Sequence, residues 1–345
     1  MRSVLHVLPH PGGGGETYVD LLERMDGYRF ERRYIAGSPL ERRPDRLLGG
    51  ATRALAAARS HDVVHVHGEI AAFLSLPALA AKPSLVTLHG INVLRRSSGP
   101  KAMVAKANLR AIVRAATRTI CVSETERDEV ERVLGARAAE KVALVPNGVR
   151  LPAPPGAREA ARRELRVPES AVVALAVGGL EPVKDPLTAA RAAMTAARDS
   201  ELVLLFAGDG PLRPELERLA TGEGGQALRV LGRLADVDRI YAASDILVVA
   251  SQREGTSFAS LEAMAHGLPL IVADGPGCAE AAGDAAVIAR HGDPDSFAAA
   301  LRRLAADPAD RASRGERGRE RAAELFSADE MIAQTRALYE EVAAS

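Results

Sequence analysis

The stretch that decides the fold is Ser251-Gln-Arg-Glu-Gly-Thr-Ser-Phe-Ala-Ser-Leu-Glu-Ala-Met-Ala-His-Gly-Leu-Pro269, read with the apolar run Asp245-Ile-Leu-Val-Val-Ala250 before it. That run is short, β-branched and uncharged after its aspartate, the composition of a strand buried on both faces of a parallel sheet. Arg253, Glu254, Gly255 and Thr256 make a polar turn. Thr256 or Ser257 then caps a helix carrying Leu261, Ala263, Met264 and Ala265, and Gly267 and Pro269 end it. Leu270-Ile-Val-Ala273 begins another strand. In such a strand–loop–helix–strand unit the helix N-terminus opens at the carboxyl end of a sheet. Ligands of open α/β sheets bind there, and bare amide N–H groups favour anionic oxygens.

Two carboxylates mark the place. Glu254 lies in the loop and Glu262 eight residues on, inside the helix. One can accept hydrogen bonds from ligand hydroxyls above the sheet, the other from a second set of hydroxyls, with phosphate between them. That arrangement suits a nucleotide sugar. Glutamate is also a good helix former on exposed faces, so the spacing alone leaves both readings open. The surrounding frame, Glu254-Gly255 followed by Leu261-Glu262-Ala263-Met264-Ala265, resembles the E-x7-E signature of retaining glycosyltransferases of family 4.

The resemblance implies a GT-B fold: α/β, two doubly wound parallel-sheet (Rossmann-like) domains facing across a cleft. It implies Glu254 at the hexose and Glu262 at the ribose. Gly255, Thr256, Ser257 and Phe258 would complete the donor site. Repeated strand–helix units argue for two such sheets independently.

Length and composition set the bounds. A chain of 345 residues suggests two domains. Its 45 basic and 45 acidic residues balance, aromatics are scarce and Trp is absent, so no field or stacking surface points to nucleic acid. Cys121 and Cys278 build no disulfide framework, and no Cys/His spacing resembles a zinc site, so no metal is expected. Val4–Leu8 enters a strand at once, with no cleavable signal and no apolar run of spanning length after it; a cytoplasmic protein is expected.

Taken in order, Val4–Leu8 leads into Pro9-His-Pro-Gly-Gly-Gly-Gly-Glu16, and Thr17–Met25 has a helical pattern. Glycines after a strand let backbone amides approach a phosphate, although a merely flexible loop looks the same. The segment resembles the family's Gly-Gly loop, which implies Gly14 and Gly15 near the donor diphosphate. His61-Asp-Val-Val-His-Val-His67 and Ser84-Leu-Val-Thr-Leu-His89-Gly90 are buried strands with polar tips. His65 reads as a core residue. The resemblance implies His89 at the donor hexose or the reaction centre, with His67 a lesser candidate. Thr119–Ser123 is a further strand, with Ser123-Glu124 opening a helix, and Val142–Gly148 closes the first domain.

Prolines at 152, 154 and 155 mark a linker over 151–157. The domains read as 1–150, joined by a C-terminal crossing helix at about 328–345, and 158–327. In the second, Ala171–Val177 runs into Gly178-Gly179-Leu-Glu-Pro-Val-Lys184-Asp185. This resembles the family's G-R-L-x-x-x-K-G, whose Arg and Lys hold the diphosphate. Lys184 matches, Gly179 stands where Arg is expected and Asp185 where Gly is expected. Arg253 or Arg233 would supply the missing cation. Ala207-Gly208-Asp-Gly-Pro211 resembles the A-G-x-G-P segment, adding Gly208 to the donor site, and Glu280 is a lesser candidate.

The function read from this is retaining, metal-independent transfer of a hexose from a nucleotide-diphosphate sugar (UDP or GDP type) to a hydroxyl acceptor: a glycan, a lipid-linked compound or a small metabolite. The catalytic candidates are Glu254, Lys184 and His89. No cofactor beyond the donor is expected. The alternatives are a nucleotide-sugar epimerase or hydrolase on the same fold, or a non-catalytic nucleotide-sugar-binding protein. Val93–Arg118 holds seven basic residues and no acidic one. Lys106, Arg110, Arg114 and Arg118 recur every four residues, one stripe on a helix, with Met103, Val104, Ala107, Ile112 and Val113 beside it. Such a stripe is a solvated face, a guide for an anionic acceptor, or a peripheral contact with the inner membrane face.

Overall fold

The computed structural model describes residues 1–344 other than 39, 40, 42, 96, 136–139, 152–157, 235, 255 and 276. The expected linker, apart from Leu151, and Gly255 therefore lie outside the described residues. The chain divides into two compact units, Met1–Gly148 with Ala328–Ser345, and Val149–Ser327. Each contains a six-stranded parallel sheet flanked by helices, the α/β GT-B arrangement.

In the first unit the strands are β1 (Arg2–Leu8), β2 (Tyr28–Tyr34), β3 (Val63–His67), β4 (Ser84–Thr87), β5 (Arg118–Cys121) and β6 (Val142–Leu144), in the order β2-β1-β3-β4-β5-β6. Strands β3 and β4 are buried throughout, as their apolar runs require. Strand β2, Tyr-Arg-Phe-Glu-Arg-Arg-Tyr, is an edge and carries charges that discourage pairing with another chain. The strand order turns back between β1 and β3, which makes their carboxyl ends a switch point. The helix Ala328–Val342 belongs to this unit and buries Met331, Leu338, Tyr339 and Val342.

Two readings of the sequence change here. The first helix spans Gly14–Leu22 instead of Thr17–Met25, because Gly13 turns the chain at φ 86° and serves as its N-cap. Gly14 and Gly15 are thus in a helical first turn, not a loop. The helix bearing the basic stripe ends at Ala115, and Arg118 opens β5, where its guanidinium meets Glu341 at 3.1 Å. The stripe is Lys106, Arg110 and Arg114, all exposed; Ile112 and Val113 are core, while Met103 and Val104 are exposed.

The second unit contains β7 (Val172–Val177), β8 (Leu202–Ala207), β9 (Leu228–Gly232), β10 (Ile246–Val249), β11 (Leu270–Ala273) and β12 (Ala286–Ala289), ordered β12-β11-β10-β7-β8-β9. Alternate residues feed two cores. Val173, Leu175, Leu205, Leu247 and Val272 pack on one face; Ala174, Leu204, Phe206, Ile246 and Ile271 pack on the other. Period-two side-chain direction with helices on both faces explains why β7, β8, β10 and β11 are apolar at every position. The order reverses between β7 and β10, the place that collects ligands in doubly wound sheets.

At the opposite end of β10 a buried charge is fully engaged. Arg162, only 1% exposed, donates to Asp245 Oδ2 at 2.6 Å and to the carbonyls of Ala243, Glu169 and Ala171. Asp245 Oδ2 also accepts from the Val173 amide at 2.7 Å, tying β10 to β7. Removing the arginine takes the buried cation from Asp245, which keeps only the Val173 amide and the half-exposed Arg158, and strips several carbonyls of their donor. Arg162→Ala should cost about 3–5 kcal/mol, read as a lower urea midpoint for this unit. A loss below about 1 kcal/mol, typical of an exposed pair, would contradict that role.

Candidate active site

The β7/β10 switch point is built by backbone contact. A Cβ at residue 208 would lie 1.8 Å from the Gly178 carbonyl oxygen, and one at residue 210 would lie 2.6 Å from that of Leu180. Leu180 N donates to Asp209 O at 2.9 Å and Leu212 N to Leu180 O at 3.0 Å. The turn after β8 thus clamps the turn after β7. Gly208 is glycine for this steric reason and does not line the adjoining pocket.

The turn after β7 continues into the short helical turn Pro182–Lys184 and then Asp185, which is left-handed at φ 45° and ψ 52°. Asp tolerates that conformation better than most residues, which explains how it replaces glycine. Its carboxylate caps the helix Pro186–Ala196 by accepting from Thr188 N. Opposite stands the loop after β10, pinned by Gln252 N donating to Val183 O at 3.0 Å. Across this seam Lys184 Nζ meets Glu254 Oε1 at 2.6 Å, and the same oxygen accepts from Ser251 Oγ at 2.6 Å. Gly179, Lys184, Ser251, Glu254 and Ser257 line one pocket, with Ser257 the N-cap of the helix Phe258–Ala265. The Ser257 side chain makes no capping bond. A Cβ on Gly179 would meet only the Glu181 side chain, at 3.5 Å, so a longer side chain has room there.

Among the other candidates, Thr256 is buried, Arg253 and Phe258 are partly exposed and Arg233 is exposed; none lines this pocket. Glu262 is on the helix and accepts from Tyr241 Oη at 2.8 Å. Burial raises its carboxyl above the usual range, Tyr241 opposes the rise and Asp238 adds to it. Tyr241, itself fully buried and stacked on His266 at 5.2 Å, orients this carboxylate. It escaped the sequence reading because a tyrosine beside Ile240 on a short helix looks like core. The carbonyl of Glu280 accepts from Arg321 at 3.0 Å.

In the first unit His89 follows β4 with φ 55°, and Gly90 has φ 91°. A positive φ at a histidine is strained and is a mark of functional sites. The strain is held by Glu126, which the sequence reading passed over. Its Oε1 accepts from Gly90 N at 2.5 Å and its Oε2 from Val122 N at 2.8 Å, while its own amide donates to Ser123 Oγ. Ser123 caps the helix through the Glu126 amide, and the Glu126 carboxylate reaches back to the residue before the cap and across to the next loop. Burial pushes the Glu126 carboxyl up to about 7, against the opposing pull of the two amide bonds. His67 Nδ1 is 3.1 Å from His89 Nε2. His65 is buried between Tyr339 Oη at 2.7 Å and Thr87 Oγ1 at 2.8 Å, a structural residue. Gly12 N donates to Glu16 Oε2 at 2.7 Å, closing the turn before the helix of Gly14 and Gly15.

Known proteins share this architecture. Residues 5–151 match the family described as Glycosyltransferase Family 4, and residues 171–307 match Glycosyl transferases group 1. The chain is 32% identical over 295 residues to the D-inositol 3-phosphate glycosyltransferase 1 of Catenulispora acidiphila, covering 76% of this chain and 69% of that protein. It is 28% identical to the alpha-maltose-1-phosphate synthase of Mycolicibacterium smegmatis, over the full length of both. Among solved structures, sucrose-phosphate synthase from Thermosynechococcus elongatus superposes with a TM-score of 0.81 at 21% identity, covering 100% of each chain. Anabaena HepE in complex with UDP-glucose superposes at 0.80 and 18%, also covering 100% of each. With both halves matched and the GT-B fold in place, the chain belongs to glycosyltransferase family 4 and is a glycosyltransferase.

Proposed function

We propose that this glycosyltransferase moves a hexose from a UDP-sugar to a hydroxyl acceptor with retention of anomeric configuration. The observation that carries the reading is the convergence of Lys184, Glu254, Gly179 and Ser257 at the β7/β10 switch point, beside a helix N-terminus. The diphosphate approaches the amides of that helix and draws Lys184 from Glu254. Charge developing on the leaving group is then met by a preorganised cation and backbone dipoles. Glu254 is left to accept from hexose hydroxyls, and Glu262, held by Tyr241, accepts from the ribose. With Lys184 supplying the cation, the step runs without a metal. The acceptor hydroxyl attacks on the leaving-group face and no protein nucleophile intervenes. UDP is favoured because a structural neighbour was solved with UDP-glucose.

Phosphate in the names of both relatives supports an acceptor that carries phosphate. The exposed Lys106, Arg110 and Arg114 offer it a steering field. A second reading rests on Met103 and Val104, exposed at 72% and 60% on the same helix. Apolar residues beside cations suit an anionic lipid surface, and so a lipid-linked acceptor. Co-sedimentation with anionic vesicles at low salt should recover the protein if so; no binding there dismisses the lipid reading.

Two substitutions test the anion site in one assay. Lys184→Ala should lower kcat/KM by roughly a hundredfold, the scale of losing one preorganised donor. Gly179→Arg should tighten UDP-sugar binding by about tenfold, the worth of one charged hydrogen bond. Near-full activity of Lys184→Ala would sink its role. Donor consumed equally well without any acceptor would instead favour an epimerase or hydrolase, and tight donor binding with no turnover a binding protein.

A further inference from the structure

Behind His89 the first unit buries a line of imidazoles that the transfer chemistry leaves unexplained. His6 Nδ1 lies 2.9 Å from His67 Nε2, and His67 Nδ1 lies 3.1 Å from His89 Nε2. His6 and His67 have no solvent exposure. At the far end His6 Nε2 is buried and meets no hydrogen-bond partner among the described residues. His65 stands beside the line, both its nitrogens taken by Tyr339 and Thr87.

Burial lowers the pKa of all three rings in the line, His89 to about 4. Each is therefore neutral near pH 7 and carries one ring proton. A neutral imidazole that donates through one nitrogen accepts through the other. Two hydrogen bonds in series thus allow two ordered arrangements. In the first, every proton faces outward: His6 Nδ1–H to His67, His67 Nδ1–H to His89, and His89 left with Nδ1–H. In the second, every proton faces inward and His6 Nε2–H is buried with nothing to accept it. A buried orphan donor is rarer than an under-used acceptor. The positive charge of Arg32 also opposes charging of His6 and His67, so both rings stay neutral in either arrangement.

We propose that His67 and His6 are positioning residues that fix His89 as its Nδ1–H tautomer, making it a hydrogen-bond donor to a substrate oxygen and not a general base. Glu126 supplies the backbone half of the same device by holding the Gly90 amide and, with it, the strained His89. The substrate contact rests on the reading of His89 as a donor-site residue; the tautomer does not.

The test is a long-range proton–nitrogen correlation spectrum of the full chain labelled with nitrogen-15 histidine, near neutral pH. The eight histidines are assigned through His89→Gln and His67→Phe. His89 should show Nδ1–H alone in the wild type. His67→Phe should release it to a mixture of tautomers and lower kcat/KM by about tenfold, as loss of an orienting partner does. Should His67→Phe not fold, the wild-type spectrum decides. A wild-type His89 bearing its proton on Nε2, or on both nitrogens, would overturn the proposal. So would stoichiometric zinc on His6, His65 and His67, whose ligand atoms lie within 4.8 Å of one another, measured by metal analysis of the same sample. Full activity of His89→Ala alongside an Nδ1–H signal would remove the substrate contact and uphold the tautomer.

Discussion

The pairing of Lys184 with Glu254 is the constraint on which the rest of the site depends. At 2.6 Å, with Lys184 38% exposed, it adds little to stability. Its importance is geometric. It joins the turn after β7 to the loop after β10, and these are neighbours only because the sheet order reverses between those strands. A lysine and a carboxylate 70 residues apart thereby face one pocket. In the reaction we propose, a polyanionic ligand takes the lysine over from the carboxylate.

Close backbone packing keeps this seam narrow. The Gly178 carbonyl fills the space of a Cβ at residue 208, and Asp185 takes a left-handed turn before capping the next helix. In the first unit the same economy appears around β4. One buried glutamate, Glu126, closes a helix cap and grips the neighbouring loop, leaving His89 in a conformation it would not choose. The second unit's pocket sits where its sheet reverses, between β7 and β10, and in each unit an aromatic ring backs the candidate side chain: Tyr241 behind Glu262, and His67 behind His89.

Much of this was legible in the sequence, for physical reasons. Strands buried on both faces are apolar at every position in β7, β8, β10 and β11, and β3 and β4 are β-branched runs with few polar residues, so all six announce themselves. The helix after β10 is bounded by Ser257 at its N-cap position and by Gly267, left-handed at φ 70°, just past its end. What was not legible depends on tertiary partners. Strand β2 carries four charged residues in seven because it is an edge. Arg118 keeps the helical spacing of the stripe yet begins a strand, since the helix had ended at Ala115. At Gly208 the Gly178 carbonyl lies 1.8 Å from where a Cβ would be, a constraint visible only once the two turns meet. Glu126, Tyr241 and His6 act through groups tens of residues away, and nothing in their local pattern separates them from helix caps and core.

The central claim is that the site is polar along its length, with ribose at Glu262 and hexose at Glu254. Calorimetric titration of UDP and of UDP-glucose into Glu262→Ala and Glu254→Ala tests it most directly. The account predicts that Glu262→Ala weakens both ligands alike. Glu254→Ala should weaken UDP-glucose while leaving UDP as tight or tighter, because Lys184 is then free for the diphosphate. The same loss for both ligands in both variants would contradict the assignment.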